Sequence, residues 1–274
     1  RAGGALFMHL RGRLGLDEAK LTASGAAPIG ADVLRFFHAI GLPILEVYGQ
    51  TQGCGITSIN RPDRTRIGSV GLAYPGVEVR LAEDGEILLR GGNVFSGYHK
   101  EPALSAETVD ADGWLHSGDI GAVDADGFVS VVDRKKDIII TAGGKNITPS
   151  NIEHALKRQD LISQAMVVGD RRAYLTALLT LDEPAVRLWA KRAGLDVADW
   201  AALLAHPALE AEVQRQVDAA NADFSRVEQV KRFTVLSDEW SPATDELTPT
   251  LKVKRRVVGD KYAVAIEAMY RDIA

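Results

Sequence analysis

The sequence predicts a mixed α/β and α+β protein, with a β-rich first part followed by a smaller α+β domain. Three observations support this prediction. Short runs of β-branched and apolar residues, separated by Asp-Gly pairs, fill the first part, and such pairs before alternating runs favour hairpins. A charge run over residues 133–137 then separates two apolar strands. Strand-like and helix-like segments alternate after this run, as in a compact α+β domain.

The first part should contain a helix, a buried strand and hairpins. One apolar helix face is formed by Val33, Leu34, Phe36, Phe37 and Ile40. The next apolar run predicts a short buried strand over residues 42–48, which Tyr48 ends. Further strands are predicted over residues 77–81, 86–90 and 128–133, next to the turns at Asp84-Gly85 and Asp126-Gly127.

The second part should open with a short strand, a loop at Gly143-Gly144 and a helix with a capping box. In that box Ser150 is the predicted N-cap and Glu153 lies three residues later. A polar loop over residues 237–250 is expected to be extended and to precede a final helix. Strands are predicted over residues 165–169, 175–181 and 230–236, and mainly helical sequence over residues 183–222.

The composition is typical of a soluble globular protein. Of the 274 residues, 46% are hydrophobic and 25% charged, and the formal net charge is −5. The basic cluster at residues 252–256 is too small for a nucleic-acid surface, so we expect no nucleic-acid partner. The single cysteine, Cys54, excludes an intramolecular disulfide and fits a reducing, cytoplasmic location. No apolar run reaches the roughly 18 residues of a membrane-spanning helix, while peripheral membrane contact stays open.

Four segments suggest chemistry, and each has a purely structural alternative. Tyr48-Gly49-Gln50-Thr51 could stack a flat ring on its tyrosine and bind an anion at its threonine, or form an ordinary turn. Asp119, in Ser117-Gly118-Asp119, could accept hydrogen bonds from the vicinal hydroxyls of a ribose, or cap a turn. Gly143-Gly144 could let a ligand approach the backbone, or form a loop. Lys252 could supply a point charge for a phosphate or carboxylate, although most loop lysines are merely solvated.

The order of these segments resembles that of the adenylate-forming superfamily, which includes acyl-CoA synthetases, luciferases and peptide-synthetase adenylation domains. The resemblance covers essentially the whole chain. It rests on Ser24-Gly25-Ala26-Ala27-Pro28, Tyr48-Gly49-Gln50-Thr51-Gln52, the block from Gly85 to Tyr98, Ser117-Gly118-Asp119, and the hinge block from Asp133 to Glu153. The ending Leu247-Thr248-Pro249-Thr250-Leu251-Lys252 is similar to the long-chain fatty acyl-CoA synthetase branch in particular, as is the lysine at the hinge position.

The resemblance implies a more detailed architecture. Residues 1–133 would form the C-terminal portion of a large, β-rich AMP-binding domain, residues 134–136 a hinge, and residues 137–274 a small, mobile C-terminal domain. Gln52 stands where the family has a glutamate that helps to hold Mg²⁺. The Ser/Thr/Gly-rich loop that cradles the β- and γ-phosphates in the family does not occur in this sequence.

The resemblance also implies roles for individual residues. Lys252 would bridge the carboxylate and the α-phosphate during adenylation, with Lys254 as the alternative if the loop register differs, and Thr51 would hold the α-phosphate. Lys136 would be the hinge residue. The CoA channel would be lined by Gly143, Gly144 and Lys145. The other nucleotide contacts would come from Gly25, Ala26, Ala27, Pro28 and Gly49, from Tyr48 on the adenine, and from Asp119 and Arg134 on the ribose.

The activity implied is AMP-forming ligation of a long-chain fatty acid to coenzyme A through an acyl-adenylate, with ATP and Mg²⁺. We expect the missing phosphate loop to be supplied by an N-terminal half or another chain, and the isolated chain to expose apolar surface that favours self-association. Two alternatives stay open at this point. One is a ligase that loads the phosphopantetheine of a carrier protein, and the other is a non-catalytic remnant that binds nucleotide or a partner chain.

Overall fold

Helices and strands alternate along the chain, of which the computed structural model describes residues 2–26 and 29–271. One compact unit ends at Lys136 and a second begins at Asp137. The mixed α/β class predicted from the sequence is confirmed. The helices are α1 (Ala2–Arg13), α2 (Ala31–Ala39), α3 (Pro102–Thr108), α4 (Pro149–Lys157), α5 (Glu183–Arg192), α6 (Trp200–Leu204), α7 (Pro207–Asn221), α8 (Arg255–Lys261) and α9 (Ala263–Ala268). The strands are β1 (Thr22–Ser24), β2 (Ile44–Gln50), β3 (Gly55–Ile59), β4 (Leu72–Ala73), β5 (Val77–Leu81), β6 (Glu86–Gly91), β7 (Leu115–Val123), β8 (Val129–Arg134), β9 (Ile139–Ile140), β10 (Asn146–Ile147), β11 (Ile162–Val168), β12 (Leu175–Leu181) and β13 (Val230–Val235).

The first unit contains a mixed sheet and an antiparallel sheet. The mixed sheet has the order β1-β2-β3-β4, with β1 parallel to β2 and the other neighbours antiparallel. The antiparallel sheet is a meander of β5, β6, β7 and β8. Gly85 and Gly127 adopt positive φ angles of 84° and 86° in the turns of this meander. The hairpins predicted at the Asp-Gly pairs are therefore confirmed, because a residue that tolerates this conformation is what such tight turns require.

The core of the first unit fixes strand β6 at the centre of the meander. Ile87 and Leu89 on β6 are fully buried, and they pack with Leu115 of β7 and Val129 of β8. The half-buried ring of Tyr48, on the mixed sheet, packs against the same cluster. The two sheets of this unit therefore share one apolar core, which places β2 beside the meander.

The second unit is built on strand β12, which is buried along its whole length. β12 pairs antiparallel with β11 and parallel with β13. Because successive side chains point to opposite faces, β12 contributes to two cores. Leu175, Ala177 and Leu179 pack with α4, α5 and α7 on one face, while Leu178 packs with residues of the chain beyond β13 on the other.

Three local predictions were wrong. Helix α4 has Thr148 as its N-cap and Pro149 as its first residue, so Ser150 lies within the first turn. Proline is well suited to that first position, because its φ is already helical and it has no N–H to leave unpaired. Strand β2 continues two residues beyond Tyr48, because those residues pair with β3. The segment 237–250 is not simply extended and polar, since Trp240 and Leu247 are buried in it.

No helix in residues 2–26 and 29–271 is both long enough and apolar enough to cross a membrane.

Candidate active site

Strand β2 carries the tyrosine-glycine part of the nucleotide motif, and its glycine is required by packing. Gly49 lies opposite Ile56 of β3, and Gln50 lies opposite Gly55. A Cβ atom at Gly49 would lie 1.7 Å from the carbonyl oxygen of Gly55, which no side chain could tolerate. The two strands can approach this closely only because position 49 has no side chain.

A single 3₁₀ turn, Thr51–Gly53, follows β2 and presents its threonine to solvent. The turn closes with the Cys54 amide N–H donating to the Thr51 carbonyl at 3.0 Å, and Cys54 itself is exposed with a φ of 47°. Asn93 donates its side-chain amide to the Gly53 carbonyl at 2.9 Å. The Gln52 side-chain amide donates to the Tyr98 hydroxyl at 2.6 Å. The turn is thus tied to the chain after β6, and Thr51 remains accessible.

Three predicted nucleotide contacts come together in the structure. They are Tyr48, predicted for the adenine, and Asp119 and Arg134, both predicted for the ribose. The Tyr48 hydroxyl donates to Oδ2 of Asp119 at 2.6 Å, and Nε of Arg134 lies 3.8 Å from Oδ1. Asp119 and Arg134 are directly paired residues of β7 and β8. The Asp119 amide N–H donates to the Ser117 hydroxyl at 3.0 Å, which shapes the turn. Burial, reinforced by the neighbouring Asp119 carboxylate, raises the pKa of the Tyr48 hydroxyl, so this group stays protonated and donates.

Glu86 is a buried charged residue beside this cluster, and its place in the sequence did not indicate a role. Its carboxylate accepts hydrogen bonds from the Gly118 amide at 2.8 Å and the Lys135 ammonium at 3.0 Å, and lies 3.3 Å from Nδ1 of His116. Burial opposes ionisation, but these three donors outweigh it and lower the pKa of the Glu86 carboxyl. The sequence feature that could have indicated this role is a charged residue at the first position of an apolar strand, directly after the turn glycine Gly85.

The predicted adenine-side loop begins beside β2. Ser24 of β1 lies opposite Glu46 of β2, and a Cβ at Gly25 would lie 3.1 Å from the Val47 carbonyl oxygen. Ala26 has a positive φ of 65°. The loop therefore leaves the sheet next to the residue that precedes Tyr48. The predicted contacts Ala27 and Pro28 lie outside the described residues.

In the second unit, the predicted CoA-binding residues form the tip of a hairpin between β9 and β10. Gly144 has a φ of 76°, and its amide donates to the Thr141 carbonyl at 2.8 Å. The Lys145 amide donates to the Thr141 hydroxyl at 3.2 Å. Gly143, Gly144 and Lys145 are all exposed at this tip. The hairpin gives a ligand access to backbone atoms without a side chain at positions 143 and 144.

Lys252 also lies in a hydrogen-bonded hairpin, closed by a bridge between Leu247 and Val253. The Thr248 amide donates to the Lys252 carbonyl at 2.8 Å, and the Lys252 amide donates to the Thr248 hydroxyl at 3.0 Å. The Lys252 side chain is exposed and has no hydrogen bond or ion pair within the described part of the chain. Lys254, the alternative, is held in an ion pair with Asp245. The structure thus leaves the ammonium group of Lys252, rather than that of Lys254, available to a ligand.

A buried carboxylate anchors the Lys252 hairpin. Glu246 is 1% exposed and forms an ion pair with Lys261 of α8, while the Tyr262 hydroxyl donates to it at 3.3 Å. Its backbone carbonyl accepts from the Lys254 amide at 2.7 Å. Burial opposes ionisation, but the hydrogen bonds from Lys261 and Thr244 prevail and lower the pKa of Glu246 to about 2. The hairpin is therefore fixed to α8 at its base while its tip stays exposed.

The residues around Gln52 do not fit a protein-held metal ion. No group of three or more His, Cys, Asp or Glu side chains within residues 2–26 and 29–271 could hold one. Gln52 itself contributes a neutral amide, whose nitrogen donates to the Tyr98 hydroxyl and whose oxygen carries no full charge. Magnesium prefers charged oxygen ligands such as carboxylates and phosphates.

Comparison with solved structures defines the class of fold. The adenylation domain of a carboxylate reductase from Mycobacterium chelonae superposes with a TM-score of 0.76 at 19% sequence identity, covering 99% of this chain and 45% of that one. The anthranilate CoA ligase AuaEII, in complex with anthranoyl-AMP, superposes with a TM-score of 0.71 at 21% identity, covering 97% of this chain and 49% of that one. The fold is therefore that of adenylate-forming proteins.

Comparison of the sequence with models of protein families identifies the family as well as the fold. Residues 7–99 match the AMP-binding enzyme family, and residues 136–274 match the AMP-binding enzyme C-terminal domain. The chain therefore belongs to the AMP-binding enzyme family.

Curated relatives include FadD11 of Mycobacterium tuberculosis, 45% identical over 271 residues, and the long-chain-fatty-acid–CoA ligase FadD15 of Mycobacterium bovis, 43% identical over 269 residues. These matches cover 98% and 97% of this chain but 47% and 44% of the relatives. The chain thus spans about half the length of the curated relatives it matches.

Proposed function

We propose that the chain is part of an AMP-forming ligase that joins a long-chain fatty acid to coenzyme A through an acyl-adenylate. The observation that carries the proposal is the cluster of Tyr48, Asp119 and Arg134. In it, Tyr48 and Arg134 both face the Asp119 carboxylate. The exposed Thr51 lies three residues after Tyr48 in the same sequence motif. The relatives named as long-chain-fatty-acid–CoA ligases support the choice of acid and acceptor.

In the first half-reaction a carboxylate oxygen of the fatty acid attacks the α-phosphorus of ATP. The bond from that phosphorus to the oxygen bridging the β-phosphorus breaks, and pyrophosphate leaves. Asp119 accepts hydrogen bonds from the ribose hydroxyls, and Thr51 donates to an α-phosphate oxygen. The Lys252 ammonium lies between the attacking carboxylate and the α-phosphate, where it offsets the negative charge that both anions bring together.

In the second half-reaction the thiol sulfur of coenzyme A attacks the acyl carbon and gives up its proton to solvent. AMP leaves with the electron pair of the broken bond between the acyl carbon and the phosphate oxygen. Rotation of the second unit about Lys136 withdraws Lys252 and brings Gly143 and Gly144 to the pantetheine arm, beside Lys145. Residues without side chains suit a narrow channel of this kind. A rotation confined to one or two residues is an ordinary form of domain closure.

Magnesium enters this scheme as part of the substrate MgATP. No step is assigned to a metal held by this chain, because Gln52 supplies no negative charge to hold one.

The decisive experiment compares Lys252→Ala with Lys254→Ala in the ligase that contains this chain. We expect Lys252→Ala to lower fatty-acid-dependent pyrophosphate exchange by about 100-fold or more, as for loss of a transition-state charge, while thioester formation from preformed acyl-adenylate is retained. Lys254→Ala is the matched control, because it removes an equal charge two residues away that is already paired with Asp245. Equal losses in the two variants would reject the role of Lys252, and absence of any exchange in the unmodified ligase would reject the proposed activity.

A further inference from the structure

Glu86 is a buried carboxylate to which no step of the proposed reaction assigns a role. It is 5% exposed at the first position of β6, whose next three residues are buried and apolar. A carboxylate is seldom buried to this degree unless specific donors compensate for its lost hydration. The donors that bind Glu86 therefore indicate what the residue does.

The two carboxylate oxygens of Glu86 bind two different parts of the candidate site. Oε1 accepts from the amide of Gly118, which immediately precedes the ribose-directed Asp119. Oε2 accepts from the ammonium of Lys135, which immediately precedes Lys136. A single side chain thus contacts the nucleotide turn and the end of the first unit.

The backbone joins the same two places. The Lys135 amide donates to the Gly118 carbonyl at 2.8 Å, continuing the pairing of β7 with β8 by one residue. Asp84, in the turn before β6, is a second acceptor for the Lys135 ammonium at 2.5 Å. Gly118 has a φ of 73°, so its amide direction depends on a conformation that few other residues adopt. Glu86 holds that amide in place.

We propose that Glu86 is a positioning residue. It holds the Ser117-Gly118-Asp119 turn in the geometry that ribose binding requires, and it fixes Lys135 to the first unit so that rotation begins at Lys136. This inference rests on the proposed function, since it deepens the roles given to Asp119 and Lys136. It assigns to the carboxylate an effect on ligand binding, and not only on the stability of the fold.

The test uses the 274-residue chain and the variants Glu86→Leu and Glu86→Gln. Leucine fits an apolar strand and removes both acceptors, whereas glutamine keeps one acceptor oxygen. Because leucine removes one partner and leaves the Gly118 amide and the Lys135 ammonium without this acceptor, the variant should also lose stability. Exchange and AMP binding are therefore compared at a temperature at which both proteins are fully folded. In Glu86→Leu we expect hydrogen exchange at the amides of Gly118 and Lys135 to become about tenfold faster. The Kd for AMP should rise about five- to tenfold, which corresponds to the loss of one charge-assisted hydrogen bond. In Glu86→Gln both the exchange rates and the Kd for AMP should lie between those of Glu86→Leu and the unmodified chain.

Glu78→Leu is the matched control. Glu78 lies on the neighbouring strand β5, is mostly exposed, and forms an ion pair with Arg90 at 2.8 Å. Within the described residues it shares no hydrogen bond or ion pair with Gly118 or Lys135. The Glu78→Leu variant should leave amide exchange at residues 117–119 and the Kd for AMP unchanged. Lys135→Met provides a second variant at a half-exposed position, in case Glu86→Leu fails to fold, and it should accelerate exchange at the same two amides.

Unchanged exchange at Gly118 and Lys135 in a folded Glu86→Leu chain would overturn the positioning role, as would faster exchange with unchanged AMP affinity. If the unmodified chain binds no AMP, the proposed function fails at its nucleotide site. The exchange comparison is made without nucleotide, so it still decides whether Glu86 holds the turn.

Discussion

At the scale of single residues, the Asp119 carboxylate joins two predicted nucleotide contacts. One of its oxygens accepts from Tyr48, and the other faces Arg134. An acid held from two sides cannot rotate freely, so its lone pairs have fixed directions before a ribose arrives. Preorganisation of this kind lowers the cost of binding, because less side-chain freedom is lost when the ligand is bound.

Removing only the hydroxyl of Tyr48 tests whether the fixed orientation of the Asp119 carboxylate strengthens nucleotide binding. Tyr48→Phe keeps the ring for stacking but leaves Asp119 without one donor, so we expect AMP binding to weaken by about three- to tenfold, from the worth of one such hydrogen bond. Isothermal titration with AMP measures the change. Tyr74→Phe is the control, because Tyr74 lies in the same unit with an exposed side chain. Equal AMP affinity in Tyr48→Phe and the unmodified chain would contradict the role of the hydroxyl.

Gln52 allows a test of the missing charge at the same turn. In Gln52→Glu the Tyr98 hydroxyl can donate to the new carboxylate, so the contact at 2.6 Å is kept while a negative charge is added. We expect Mg²⁺ to strengthen ATP binding more in this variant than in the unmodified chain, because carboxylates are preferred Mg²⁺ ligands. Titrations with ATP, with and without Mg²⁺, give the comparison. Gln50→Glu adds the same charge two residues away, and an identical Mg²⁺ effect in both variants would argue against a specific role for position 52.

At the scale of elements, the close pairing of β2 with β3 depends on one glycine. Gly49→Ala would place a methyl group against the Gly55 carbonyl, so the strands must separate. We expect a loss of roughly 2–4 kcal/mol of unfolding free energy, as for severe overpacking and backbone strain. Chemical denaturation followed by circular dichroism measures it. At Gly92 a Cβ would meet no atom within 4 Å, so Gly92→Ala should be close to neutral, and equal stability of the two variants would refute the packing argument.

The base of the Lys252 hairpin should depend on pH through Glu246. The pKa of this carboxyl is lowered from 4.5 to about 2, so the ionised form stabilises the fold. This contribution is complete above about pH 4.5 and declines as pH falls toward 2. Glu246→Gln should therefore destabilise the second unit by about 2 kcal/mol at pH 7, from the worth of a buried charged hydrogen bond.

Thermal melts of this variant at pH 7 and pH 3 provide the measurement. The difference in stability between Glu246→Gln and the unmodified chain should shrink at the lower pH. Asp245→Asn is the control, because Asp245 is exposed and pairs only at the surface with Lys254. A difference that does not vary with pH would show that charge at Glu246 is not the source of the stabilisation.

Elements whose cues are local could be predicted from the sequence, and pairings between distant residues could not. The hairpins at Gly85 and Gly127 and the strand over residues 175–181 agree with the structure, because turn chemistry and apolar runs act within a few residues. Tyr48 and Asp119 are 71 residues apart in sequence, and nothing local indicates their contact. The choice between Lys252 and Lys254 likewise depends on the ion pair with Asp245, which spacing alone does not reveal.

At the scale of the whole molecule, the two units have separate cores. Among residues 2–26 and 29–271, the clusters of the second unit are formed by residues beyond Asp137, and the meander cluster by residues before Lys136. Each unit should therefore carry its own cooperative stability. The motif resemblance predicts two domains in this order. The burial of β12 on both faces could not be predicted, because it depends on which segments cover each face.

Separate cores predict that residues 137–274 fold without the rest of the chain. A protein of these residues should show near-ultraviolet circular dichroism from its packed aromatic groups, including Trp240 and Tyr262, and a single cooperative melt. Its amide spectrum should match that of the same residues in the full chain. A non-cooperative melt without a near-ultraviolet signal would show that the second unit needs the first to fold.

The exposed Cys54 at the end of the Thr51–Gly53 turn has a practical consequence. It is the one cysteine in the 274-residue sequence, so a maleimide dye or spin label will attach there without removal of other thiols. The label would lie three residues after the threonine proposed to hold the α-phosphate. The chain thus contains a built-in attachment point for an optical reporter, and nucleotide titrations can be followed at the turn itself.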